Sequence, residues 1–116
     1  VRLFAELGVK YLTLTHTCHS SFAASNGGGG YMAPSRHGEG LTAFGVQLVR
    51  ELNRLGVMVD LAHTSDATMR DAIKLSTAPV VWTHAGARAV QDHPRNVPDN
   101  ILELIGDGPG KNPGIM

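Results

Sequence analysis

Cysteine is almost missing: Cys18 is the single one in 116 residues. That excludes an internal disulfide and a zinc site built on cysteines. Charge is scarce as well. Charged residues make up 17% of the chain, against roughly 25% in an average soluble domain. Ten Lys+Arg balance ten Asp+Glu, for a formal net charge of zero, so no field of one sign recruits nucleic acid or anionic lipid. Aromatics are few, at 5%. No apolar run approaches the roughly 20 residues of a membrane-spanning helix. The chain opens on Val1 with no leader-like segment, so its compartment is not legible. What is plentiful is small or apolar: 42% hydrophobic residues and 14 glycines. That balance argues against disorder and suits a buried sheet with helices and glycine-punctuated turns. A length of 116 residues allows one compact domain and leaves little room for two.

Along the chain, residues 1–7 read as the tail of a helix. Val1, Leu3, Phe4 and Leu7 share a face, and Gly8 stops it. Residues 9–15 (V-K-Y-L-T-L-T) read as a strand. Residues 17–40 are too polar and glycine-rich for a packed element, and a loop of that length is usually functional or disordered. Its four glycines, 27–30, are not a phosphate loop, because no strand feeds them and no Lys-Ser/Thr follows. Thr42 caps a helix over residues 43–55, where Phe44, Leu48, Leu52 and Leu55 recur at helical spacing before Gly56. Residues 57–62 form a second strand. Ser65 caps a helix over residues 66–75, with Asp66 at its positive end. Residues 79–83 form a third strand. Asn96, with Pro98 and Asp99 just inside, starts a helix to about residue 105. Residues 114–116 begin a fourth strand. Strands two and three lack a clear period of two, which predicts a parallel sheet buried on both faces. The fold class is α/β with right-handed crossovers.

Three of the six histidines occupy one repeated place. His16, His63 and His84 each sit just past the carboxyl end of a strand. Parallel strands bring those ends to a single rim, where ligands bind in α/β barrels and open sheets alike. Neutral imidazoles there could share a zinc ion. A single histidine at a strand end is more often a polar cap than a ligand; three in equivalent positions raise the ligand reading to an even contest. Asp60, inside the second strand, either orients His63 or neighbouring backbone, or is a buried structural carboxylate. Arg95 is a solvated surface residue or a two-bond grip on a carboxylate. His19, His37, His93 and Cys18 read as loop residues.

The segments Y-L-T-L-T-H-T-C (residues 11–18), G-L-T-A-F-G (40–45), R-E-L-N-R-L-G-V-M-V-D-L-A-H (50–63), A-P-V-V-W-T-H-A (78–85) and H-P-R-N-V-P-D-N (93–100) resemble the membrane dipeptidase family. This is the renal dipeptidase group of zinc peptidases in the amidohydrolase superfamily. The resemblance covers nearly the whole chain, in five segments in the right order. It implies a (β/α)8 TIM barrel with a two-zinc centre that hydrolyses dipeptides through metal-activated hydroxide. Residues 1–116 would then be a single partial domain, a central segment carrying about strands four to six and the start of seven. A full barrel takes ~250 residues. By resemblance, His63 and His84 bind one zinc, His16 contacts the substrate near the scissile bond as a catalytic residue, and Arg95 holds the substrate.

The family's His-x-Asp pair, bridging Glu and last-strand Asp match nothing in this chain. Two other readings stay open: a related amide, lactam or ester hydrolase, and a non-catalytic truncated fragment. The expected partner is a dipeptide and not nucleic acid. Membrane association through regions outside this chain and a homodimer are both open, since the family includes secreted and membrane-anchored members.

Overall fold

The computed structural model describes residues 1–28 and 33–116, so half of the glycine run, Gly29 and Gly30, lies outside the described residues. The elements alternate: α1 (Arg2–Glu6), β1 (Tyr11–Thr13), α2 (Ala43–Leu55), β2 (Met58–Asp60), α3 (Asp66–Leu75), β3 (Val80–Val81) and α4 (Asp99–Leu102). The strands form one sheet in the order β1-β2-β3, parallel throughout. The sequence expectation of an α/β fold on a parallel sheet holds. Near the carboxyl end, Ile115 pairs in parallel with Val81. Its N–H donates to Val80 O and its carbonyl accepts from Trp82 N, both at 2.9 Å. That is where residues 114–116 are predicted to begin a further strand.

The two long helices start and stop where their sequences say. Thr42 Oγ1 accepts from Gly45 N at 3.0 Å, and Gly56 closes α2 at φ 69°, a left-handed value that favours glycine. Ser65 Oγ accepts from Thr68 N at 3.1 Å at the start of α3. Such caps are each worth about 1 kcal/mol. Both helices lay one apolar face on the sheet. Leu48, Val49 and Leu52 from α2 and Met69, Ala72 and Ile73 from α3 join Val57, Val59 and Val80 in one buried cluster. In the middle strand and just beyond it, Val59, Asp60 and Leu61 are all fully buried. Both faces are covered, which is why that strand shows no alternation.

Several boundaries and burials differ from the sequence expectation. The strands are shorter than their apolar runs, because a strand lasts only as long as a neighbour pairs with it. The helix predicted from Asn96 begins at Asp99, with Pro98 as its N-cap, and ends at Leu102. Asn96 does other work: Oδ1 accepts from Gly86 N at 3.0 Å and Nδ2 donates to Gln91 O at 2.8 Å. Leu3 and Phe4 of α1 are exposed, as is Phe44, which meets the Phe22 ring at 5.0 Å. Within the stretch predicted to be unpacked, Ala23, Ala24 and Ser25 are buried. The Ala24 carbonyl draws them in by accepting from Ser65 N at 3.0 Å and Thr68 Oγ1 at 2.9 Å. Among the described residues, no helix is long and apolar enough to cross a membrane.

That loop is clamped to α2 at Gly45, where a Cβ would meet the Phe22 carbonyl oxygen at 2.0 Å. Gly45→Ala gains about 1 kcal/mol of helix propensity. A clash with backbone cannot be relieved by a rotamer change, and overpacking costs about 1–3 kcal/mol. The expected net result is a lower melting temperature of the full-length protein. An unchanged or raised melting temperature would show that the loop yields freely.

Candidate active site at the carboxyl rim of the sheet

The register of the sheet aligns the three histidines. Thr13 pairs with Asp60, and Asp60 with Val81. Three residues further along each strand stand His16 (13 + 3), His63 (60 + 3) and His84 (81 + 3). Equal offsets from one row bring them to one rim. The His16 and His63 rings stack at 4.1 Å between centroids, and His63 meets His84 edge-on at 5.0 Å. The Nε2 atoms of His63 and His84 lie 3.0 Å apart.

His63 occupies a turn that few residues other than glycine adopt, with φ at 67°. The turn is held by its own carbonyl, which accepts from Thr15 Oγ1 and Asn26 N, each at 3.0 Å, while Ser25 Oγ lies between it at 2.9 Å and the His16 carbonyl at 2.5 Å, with one hydrogen for the two. Strain that is over-determined in this way is typical of functional positions. The ring is buried, and burial pushes its pKa down to about 4, helped by the charge of Arg95 and by His16 and His84. The Gly27 backbone pulls weakly the other way, although Nδ1 has no partner at hydrogen-bond geometry. His63 is therefore neutral at pH 7, the state in which imidazole binds a metal.

Asp60 is fully buried and accepts four hydrogen bonds. Oδ1 takes Ala62 N and Thr83 N, each at 3.1 Å, and Oδ2 takes Thr13 Oγ1 at 2.6 Å and Thr83 Oγ1 at 2.8 Å. Asp60 makes no bond to the His63 side chain, but it does hold neighbouring backbone, at Ala62 N and Thr83 N, and it is a buried, hydrogen-bonded carboxylate. Its partners are backbone and threonines of all three strand segments, and through Thr83 it reaches His84, whose Nδ1 is 2.9 Å from Thr83 Oγ1.

Arg95 lies at the same rim. Its Nη2 donates to the His84 carbonyl at 3.1 Å, and its buried Nε has no partner among the described residues. Burial pushes its pKa down while the Asp60 charge holds it up. The loop that carries it is anchored by Arg88, which forms a two-bond pair with Asp66 at 2.7 and 2.8 Å and donates to Asn96 O at 3.0 Å.

The rim thus brings together all four residues singled out from the sequence. His19 and His93 hold loops, His19 Nδ1 accepting from Ser25 N at 3.0 Å and His93 Nδ1 from Arg95 N at 3.1 Å. His37 and Cys18 are exposed. Thr13, Ser25, Thr83 and Arg88 were not singled out; aligning the strands by register would have set the two threonines around Asp60. A neighbouring cavity of about 730 Å³, lined by Ser25, Asn26, Asp66 and Arg88 among others, includes none of the four.

The His63–His84 pair fits a zinc ion. Two nitrogens at ~2.0–2.1 Å from one tetrahedral zinc stand about 3.3 Å apart, close to the separation found here. His16 meets His63 face to face, so its nitrogens do not converge with that pair. Among the described residues no three His, Cys, Asp or Glu are grouped to hold a metal ion.

Dipeptidase 3 of Macaca fascicularis is 47% identical over 116 residues, covering 100% of this chain and 23% of its own length. Dipeptidase aclJ of Aspergillus oryzae is 45% identical over 112 residues, covering 95% and 25%. The chain therefore spans about a quarter of these curated relatives. A crystal structure of a metallo peptidase from Rhodobacter sphaeroides, liganded with a phosphinate mimic of the dipeptide L-Ala-D-Ala, superposes with a TM-score of 0.75. It is 37% identical and covers 86% of this chain and 28% of that one. The probable dipeptidase PvdM from Pseudomonas aeruginosa superposes with a TM-score of 0.79 at 28% identity, covering 87% and 26%. The model of the membrane dipeptidase family, peptidase family M19, matches residues 1–110, and on that match, with this rim, the chain belongs to that family.

Proposed function

We propose that the full-length protein is a zinc-dependent dipeptidase and that residues 1–116 are one partial domain of it, contributing about strands four to six and the start of seven of a (β/α)8 barrel. The observation that carries this reading is the convergence of two imidazole nitrogens, His63 Nε2 and His84 Nε2, 3.0 Å apart at the carboxyl rim of a parallel sheet. Sites form at that rim in barrels of this kind. His63 and His84 hold one zinc of a two-ion centre, completed by ligands from elsewhere in the protein. Zinc bound there supplies Lewis acidity and makes hydroxide accessible at neutral pH.

The remaining work falls to this chain's own side chains. His16, exposed beside the pair, donates a hydrogen bond to the substrate carbonyl oxygen as charge builds on it. Arg95 grips the substrate carboxylate, because its planar guanidinium can make two parallel bonds to it. A grip on a terminal carboxylate this close to the metal ligands excludes longer peptides.

The test is hydrolysis by the full-length protein of dipeptides, the matching tripeptides, lactams and esters, before and after chelation. Cleavage confined to dipeptides, abolished by chelation and restored by Zn2+, is the expected result. A preference for lactams or esters would move the chain to another amidohydrolase reaction, and insensitivity to chelation would overturn the metal reading.

A further inference from the structure

We propose that Asp60 and Thr83 form a positioning relay that fixes the tautomer of His84, leaving its Nε2 free of hydrogen and ready to bind metal. The inference rests on the reading of His84 as a metal ligand, and its argument is one of proton counting. An ionised carboxylate only accepts. Asp60 Oδ2 lies 2.8 Å from Thr83 Oγ1, so the threonine must donate there. A hydroxyl has one hydrogen, and this one is committed to Asp60. The same Oγ1 lies 2.9 Å from His84 Nδ1. That contact is a hydrogen bond only if Nδ1–H donates and Oγ1 accepts. A neutral imidazole carries one N–H, so His84 Nε2 is left with its lone pair. This is the nitrogen that faces His63.

A buried carboxylate thus sets which imidazole nitrogen is available, acting through a hydroxyl. Such partners orient ligating histidines and raise their basicity. Among the described residues, His63 Nδ1 has no side-chain partner of this kind. The alternative is that Asp60 only ties the strands together, since it also accepts from Thr13 Oγ1 and from two backbone N–H groups.

Two substitutions separate these roles. Thr83→Val keeps the shape and removes the hydroxyl, while Thr83→Ser keeps the hydroxyl. Asp60→Asn releases the relay. The two backbone N–H groups cannot turn, so the amide oxygen stays on them and the amide nitrogen faces the threonines. Thr83 then accepts from Asn, and its own hydrogen, no longer committed to a carboxylate, is free to turn toward His84 Nδ1, so the ring hydrogen is no longer held on Nδ1.

The experiment uses the full-length protein, wild type and these variants, with His84→Ala alongside. Zinc affinity is measured by chelator competition, and the His84 tautomer by nitrogen-15 NMR of selectively labelled, metal-stripped protein. The wild type is expected to show Nδ1–H. Thr83→Val should weaken zinc binding by about 10–100-fold and populate the other tautomer, Thr83→Ser should restore both, and Asp60→Asn should populate Nε2–H beside Nδ1–H. If Asp60→Asn does not fold, the Val and Ser pair decides. Wild-type affinity and tautomer in Thr83→Val, with zinc lost from His84→Ala, would overturn the relay and leave the ligand reading intact. Full zinc content in His84→Ala would overturn the ligand reading itself.

Discussion

His63→Ala and His84→Ala, each made in the full-length protein, are expected to lose about one zinc ion per chain and nearly all dipeptide hydrolysis. Both imidazoles converge on one point, so removing either leaves the other without its companion ligand. The effect on metal content should be the same for the two variants although their surroundings differ: His63 is buried and His84 exposed. Loss of fold is the competing explanation for His63, because its backbone occupies a left-handed turn tied by hydrogen bonds to its carbonyl. Those bonds do not involve the side chain, so Ala leaves them in place, although His is better tolerated than Ala at positive φ. Circular dichroism should therefore match the wild type while metal analysis shows the deficit. Retention of both metal and activity in the two variants would remove the assignment.

The second large effect separates His16 from Arg95. His16→Ala is expected to keep its zinc and to lower kcat by ~10²–10³, the cost of one donor to a developing oxyanion. Its ring stacks on His63 at 4.1 Å, close enough to share a substrate with the ligand pair without pointing at the same ion. Loss of zinc from His16→Ala would make it a ligand after all. Arg95→Ala is expected to act mainly on KM, since a substrate carboxylate is charged in both ground and transition states. Arg95→Lys should rescue only in part, because an ammonium cannot reproduce the two-bond fork. Its Nη2 already donates to the His84 carbonyl, so the variants also need a metal analysis to show that the ligand loop has not moved. Steady-state kinetics on the three variants reads the division directly, and an unchanged KM in Arg95→Ala would remove the carboxylate grip.

What the sequence by itself determined is what short-range chemistry controls. Thr42 and Ser65 cap helices with hydrogen bonds to residues three places on, and Gly56 ends α2 in a conformation glycine favours, so both long helices were legible to the residue. The continuous apolar character around Val59 and Leu61 told of a sheet covered on both faces. The spacing of His16, His63 and His84 at strand ends named the candidate site, and the family segments named its chemistry.

Tertiary structure decided the rest, wherever a residue's role depends on a partner far along the chain. The strands ended earlier than their apolar runs because ladder bonds need a neighbour, not a propensity. Asn96 lost its role as a helix cap to Gly86 and Gln91, which compete for the same side chain. Asp60 could not be assigned from its strand position because its partners, Thr13 and Thr83, lie 47 and 23 residues away. The left-handed turn at His63 was equally hidden: nothing local favours it, and it exists because Thr15, Ser25 and Asn26 gather on one carbonyl. Local sequence can set a helix cap, but it takes the packed sheet to decide which way an imidazole faces.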